Sequence, residues 1–232
     1  MTERGILFSA SMIRAILAGQ KTVTRRVVDE GALKVRVPRF IRAEMPRIFG
    51  DTSVQPGIYP ASMNAHGAVS VVNHAEKSVG LKPDEFEWVS PYGETLWVRE
   101  AWAAWFQRDG VVADWKDTPK EARTQANLVR LAYRATEPDA AKRWVTPLFM
   151  PRWASRLTLT VKSVRVERLQ SITEDDARRE GVALCNHAAK IHDATYVRAY
   201  ACLWDELNAK RAPWSSNPWI YRVEFVRAGG DR

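Results

Sequence analysis

The chain reads as an α+β domain: a small mixed β-barrel flanked by helices, interrupted by one long insertion. Three observations point there. About six short runs have the apolar clustering of strands. A few helices carry their own start and stop signals. The two kinds of element follow one another without a repeating order, and no low-complexity tract intervenes. Mixed layers around one core fit that pattern better than a stack of repeats.

The elements follow in order. Ile6–Leu7–Phe8–Ser9 predicts a short buried strand. Ser9 or Ser11 can cap the next helix, whose apolar face is Met12, Ile13, Ile16 and Leu17. Gly19 suits the left-handed position that ends it. Val35–Arg36–Val37 predicts a strand stopped by Pro38, and residues 68–72 another. Between them, residues 50–68 are rich in Gly and Pro and read as loop. Roughly 36–90 is expected to be an elaborated insertion within a single domain spanning 1–232. Pro91–Tyr92–Gly93 marks a turn. Thr95 to Glu100 is then a strand, with Leu96 and Val98 on one face and Trp97 and Arg99 on the other. Residues 107–128 read as loop with a short helix near 119–126, and Val129 to Arg134 as a strand. Pro147 to Arg156 is an aromatic-basic loop. It leads into a long strand carrying Leu157, Leu159 and Val161 on one face, with a bulge near Ser163. Thr173 with Asp176 resembles a capping box, starting a helix that ends at Glu180 before Gly181. Tyr196–Asn208 is amphipathic, with Val197, Tyr200, Ala201 and Trp204 at helical spacing. Trp219 to Phe225 closes the fold, and 228–232 reads as a frayed tail.

Composition narrows the partners. The chain has 232 residues, 46% hydrophobic, which suffices for a sizeable core. Ten tryptophans supply burial, and faces on which bases can stack. A net charge of +8 favours polyanions. Two cysteines allow no disulfide framework and fit a reducing compartment. Cys185, His187 and His192 could form a metal cluster, but a polar loop and helix start is the plainer reading. No transmembrane run is present. Arg14 breaks the N-terminal apolar stretch, and no cleavage site follows. No membrane partner and a cytoplasmic location are therefore expected, with oligomeric state open.

The densest chemistry lies at the first helix exit. Lys21 to Arg26 places one lysine, two threonines and two arginines within six residues. In a strand, Lys21 and Thr24 would point to opposite faces, so they share a pocket only if the segment turns. Lysines after helix ends are commonly solvated or capping. Thr22 and Thr24 read equally well as plain strand residues, and Glu180 as half of a surface ion pair. The arginines Arg36, Arg39, Arg42 and Arg47 form a solvated face or a nucleic-acid contact.

Ile16–Leu17–Ala18–Gly19–Gln20–Lys21–Thr22–Val23–Thr24–Arg25–Arg26 resembles the opening motif of the ASCH domain, a family of the PUA-like superfamily of small β-barrels. Ser171 to Gly181 resembles its second block, and Pro218–Trp219 with Val223–Glu224–Phe225 its third. The larger phage and prophage members are similar over most of the chain, through the blocks Gly93–Glu100 and Met150–Arg156. The small bacterial members are amidohydrolases that deacetylate 4-N-acetylcytidine, and another branch is described as a ribonuclease. The small enzymes lack most of residues 27–156. The resemblance implies a catalytic set of Lys21, Thr24 and Glu180.

Amide hydrolysis needs a nucleophile, a base, a proton for the departing amine and a partner for the oxyanion. In that scheme Lys21 is the base, if burial or its cationic neighbours Arg25 and Arg26 depress its pKa. Thr24 is the nucleophile or holds a water. Glu180 shuttles a proton or holds Lys21. Arg26 orients Glu180 or contacts phosphate, and Arg152 and Trp153 bind a stacked base with its phosphate. Neither cofactor nor metal is called for. The expected activity is metal-independent amidohydrolysis of a modified cytidine-type nucleoside. The alternatives are a non-catalytic reader of RNA or modified DNA, and a ribonuclease.

Overall fold

The computed structural model describes residues 3–28, 91–183 and 195–229 in full, and between 34 and 88 the backbones of five strands. Strand β1 (Glu3–Leu7) runs into Ser9, whose hydroxyl accepts the Met12 N–H and starts helix α1 (Ala10–Leu17). Ile13, Ala15 and Ile16 are its buried face. Gly19, at φ +72, ends it in the left-handed conformation that costs glycine nothing. Strand β2 (Val23–Val27) follows.

Five strands then come from the insertion: β3 (Lys34–Val37), β4 (Gly57–Met63), β5 (Val69–Val72), β6 (Ser78–Leu81) and β7 (Glu87–Trp88). They form an antiparallel sheet in the order β6-β5-β4-β3-β7. Strand β8 (Thr95–Arg99) alternates as expected, burying Leu96 and Val98. A three-stranded sheet comes next, from β9 (Trp102–Arg108), β10 (Val111–Asp114) and β11 (Leu128–Tyr133), with β9 central. Strand β12 (Thr158–Arg168), helix α2 (Glu174–Arg179), helix α3 (Tyr196–Asn208) and strand β13 (Trp219–Arg227) complete the fold.

The central sheet has the order β1-β8-β12-β13-β2. Its β1–β8 pair is parallel and the rest antiparallel. Its core joins Ile6, Phe8, Ile13, Ile16, Leu96, Val98, Leu159, Val223 and Phe225. Each such side chain contributes about 1.5–3 kcal/mol by leaving water. A second cluster, around Leu169, Ile172, Ala177, Tyr200, Trp204 and Ile220, fastens α2 and α3 to the sheet. Among the described residues no helix is long and apolar enough to cross a membrane.

The α+β class and the bulge hold. The β12–β13 register shifts between Val161 and Ser163. The barrel does not close: β1 and β2 are the edges of an open sheet among the described residues. Helix α1 joins those two edges and buries Ile13 and Ile16 in the same core, where a closing strand pair would have to run.

Two stretches read as loop are strands. Strand β4 lies inside 50–68 and carries Pro60, a residue that normally argues against a central strand. In 107–128, residues 107–114 complete the β9–β10 hairpin, turned by Asp109 at φ 51 and Gly110 at φ 81. Asp-Gly between apolar runs is a strong hairpin signal. The helix expected near 119–126 is two single 3₁₀ turns, Lys120–Ala122 and Gln125–Asn127. Arg39, Arg42, Arg47, Cys185, His187 and His192 lie outside the described residues.

Candidate active site

Lys21 lies between the end of α1 and the start of β2, outside the strand's alternation. Backbone bonds from Gln20 N and Lys21 N to Ala15 O fold the chain back under the helix. This is the turn that the geometry demanded. Lys21 is not solvated: it is 2% exposed. Its ammonium donates to Val23 O at 2.8 Å, Glu180 O at 2.9 Å and Glu180 Oε2 at 2.6 Å. All three of its donors are therefore engaged.

Glu180 is the C-terminal cap of α2, with Gly181 beyond it at φ +78. Lys21 thus meets both the side chain and the final carbonyl of that helix, where the helix dipole favours a cation. The two helix ends approach so closely that a Cβ on Gly181 would sit 2.7 Å from Ala15 Cβ and 3.0 Å from Lys21 Cβ. Glycine is required there by space and by backbone conformation together.

The other oxygen of Glu180 accepts from Arg25 Nη1 at 3.2 Å. Arg25 Nη2 continues to Glu167 at 3.0 Å and to Asp176 Oδ2 at 2.8 Å. Arg222 stands opposite Arg25 in the β13–β2 register, and Asp176 bridges the two, its Oδ1 2.8 Å from Arg222 Nη2. Arg222 Nη1 also reaches Glu224 Oε2 at 3.2 Å, and Arg179 pairs with the other oxygen of Glu224. Two arginines facing each other across a strand pair would repel unless a carboxylate stood between them. Asp176 does this. Thr173 caps its backbone N–H as expected, but its side chain turns to the arginines instead of back to Thr173.

This network sets the charges. Burial pulls the Lys21 pKa below its ordinary value; Glu180 opposes that, and Arg26 and Arg25 add to it. Burial works against the Arg25 charge as well, but Glu180 and the other acids around it carry its pKa upward. Burial, and then the Glu180 charge, push the Tyr200 phenol well above its usual range. Asp176 is held low: burial is outweighed by its bonds to Arg222 and Arg25. Glu224 is held low chiefly by Arg179.

The acid response follows from these signs. Asp176 and Glu224 have ordinary values of 3.8 and 4.5 and lie lower in the folded protein. Their contribution is complete above those values and is lost as pH falls past them toward the folded-state pKa values. Urea midpoints taken from pH 7 down to about pH 2.5 should therefore fall steeply only below about pH 4.5. Asp176→Asn should be less stable at pH 7 and show a shallower acid slope. An unchanged slope would remove Asp176 from the account.

A cavity of about 230 Å³ opens beside the buried pair. Thr24, Arg25, Arg26 and Glu180 line it from the sheet and α2, and Tyr200 and Trp204 from α3. Thr24 is 3% exposed, and its hydroxyl makes no hydrogen bond among the described residues. Arg26 donates to Leu7 O at 2.6 Å and lies over the Phe8 ring, while its buried Nε has no partner. Thr24, Glu180 and Arg26 therefore share this cavity, whereas Lys21 does not line it and is joined to it through Glu180. Arg152 and Trp153 do not line this cavity. Arg152 makes a bidentate pair with Glu3, at 2.9 and 3.0 Å. Trp153 packs edge-on against Trp102 and Phe106 in the core of the β9 sheet.

Arg25, expected only as a cationic neighbour of Lys21, also joins three acids, and Asp176, Glu167, Arg222 and Tyr200 belong to the site without having been expected there from the sequence. The available signal was two arginines within otherwise apolar strands, Val23–Val27 and Trp219–Arg227. Such residues need buried acids, and the nearby acidic helix start supplies one. Comparison of the chain with protein-family models, with curated proteins and with solved structures finds no match.

Proposed function

We propose that the protein is a hydrolase of the amide bond in an acylated cytidine-type nucleoside, 4-N-acetylcytidine being the nearest test substrate. The observation that carries this reading is the buried Lys21–Glu180 pair beside a cavity lined by an uncommitted Thr24 hydroxyl. The resemblance of residues 16–26 and 171–181 to the ASCH blocks, within an α+β fold, supports the same assignment. A hydroxyl and a lysine can run acyl transfer without histidine.

In this scheme Thr24 Oγ, or a water that it holds, attacks the acyl carbonyl. The proton goes to the Lys21–Glu180 pair, whose 2.6 Å bond and lowered lysine pKa make it transferable. Arg26, which lines the cavity, faces the developing oxyanion. Collapse of the intermediate breaks the C–N bond, and the pair returns the proton to the departing amine. Water then releases the acid if an acyl-threonine has formed. Pockets that enclose a whole small ligand are roughly 300–1,000 Å³. At about 230 Å³ this cavity takes the reacting group and leaves the rest of the nucleoside outside.

One observation favours a second reading, a PUA-like binding module. The three Lys21 donors are satisfied by protein oxygens, as in a structural ammonium. Incubation with 4-N-acetylcytidine separates the two. Chromatography should show cytidine and acetate with the native chain and a large loss with Lys21→Met. Saturable binding without turnover favours the module. Cleavage of RNA chains instead would favour a ribonuclease.

A further inference from the structure

A second concavity lies on the β9 sheet. It is a cleft of about 770 Å³ whose walls are the rings of Trp115, Trp144, Phe149 and Trp153. Two of these rings are fixed from beneath. Trp115 and Trp153 both meet the buried Trp102, at 4.7 and 6.2 Å between centroids, and both meet the buried Phe106, at 5.9 and 6.4 Å. Phe149 stands on the single turn Pro147–Phe149 and is 65% exposed, with Leu148 beside it. Large aromatic surface held open to water marks a binding surface.

The rim is cationic. Lys116, Lys120 and Arg123 line the cleft, and no carboxylate does. Among the described residues neither lysine forms an ion pair. Of the nearest acids along the chain, Asp114 and Asp117 are held by Arg143, and Glu121, next to Lys120, is exposed, does not line the cleft and forms no ion pair among the described residues. Arg123 lies over the Trp115 ring at 4.7 Å, its Nε bonded to Thr118 O. Flat apolar faces with uncompensated cations at their edge match one ligand chemistry, an unpaired base joined to phosphate.

We propose that this cleft binds single-stranded nucleic acid, with a base stacked on the Phe149–Trp144 side and its phosphates at Lys116 and Lys120. The proposal goes beyond the hydrolytic reading and stands without it. It also changes the expected partners of Trp153. Arg152 and Arg156, its neighbours in sequence, are taken by Glu3 and Glu100. The cations that face the cleft come from the segment after β10 instead.

The test is fluorescence anisotropy with labelled oligo(U) and oligo(dT) of about 12 nucleotides, and a matched duplex, read together with intrinsic tryptophan emission. Both single strands should bind with quenching, and better than the duplex; the ratio of the two gives the RNA or DNA preference. Phe149→Ala, a change at an exposed position, should weaken binding about tenfold. Lys116→Ala with Lys120→Ala should reduce the slope of log K against log salt by about 1.4. Lys210→Ala, at an exposed position outside the cleft, should bind as the native chain does. The proposal is overturned by absence of binding at low salt, by binding that these rim variants leave unchanged, or by displacement with polyglutamate as readily as with unlabelled oligonucleotide.

Discussion

Glu180→Ala should lose about 3–5 kcal/mol of folding stability, the cost of stripping one partner from a buried ion pair. Two cations depend on this carboxylate. Lys21 would retain only carbonyl acceptors, and Arg25 would lose one of its three acids. Both are buried, so water cannot replace what is lost. Domains of this size are stable by only about 5–15 kcal/mol, so the variant sits near the edge of folding. Replacing the pair by apolar groups of similar volume is a different experiment. Lys21→Met combined with Glu180→Leu removes the unpaired ammonium and should recover much of the loss, since an ion pair taken out of water contributes little net stability. Urea denaturation of the two single variants and the double variant measures the coupling. A loss below about 1 kcal/mol for Glu180→Ala would mean that the pair is solvated or already neutral.

Thr24→Val should do the opposite: little to stability, much to activity. Thr24 is 3% exposed and lines the cavity, and its hydroxyl makes no hydrogen bond among the described residues, so removing it breaks no hydrogen bond and leaves the side-chain shape. The denaturation midpoint should be unchanged or slightly higher. If the hydroxyl attacks the acyl carbon or positions the attacking water, kcat on 4-N-acetylcytidine should fall about 10²–10⁴-fold. Thr24→Ser should retain most of the rate. Full activity in Thr24→Val would move the reaction away from this cavity. Equal losses in Val and Ser variants would point to packing instead of chemistry.

The contrast between these residues shows what the sequence carried. Helix ends were legible: Ser9, Gly19, Thr173 and Gly181 announce where α1 and α2 start and stop, and the two ends deliver Lys21 and Glu180 to each other. Cross-strand register was not. Arg25 and Arg222 become neighbours only once β2 pairs with β13, and only then does Asp176 have a reason to turn from its helix cap. The same limit applies to Arg152. Its neighbours in sequence suggested a base-binding role, while its partner Glu3 lies at the other end of the chain. The aromatic cleft was half visible, in Trp153. Trp115 was hidden because the Asp109–Gly110 turn was passed over, and with it the β9–β10 hairpin that leads to Trp115.

The sheet order β1-β8-β12-β13-β2 has a consequence for synthesis. Chains emerge N-terminus first. Strand β2 is made early, but the strand that pairs with it among the described residues is β13, made last. Lys21 and its acid are 159 residues apart. Through most of translation, then, β2 lacks its partner strand, and Arg25 on it and Lys21 just before it lack the acids that hold them in the folded protein. The candidate active site is therefore among the last parts of the molecule to form, and a chain that stops before α2 has neither the acid of Lys21 nor the carboxylate that stands between Arg25 and Arg222.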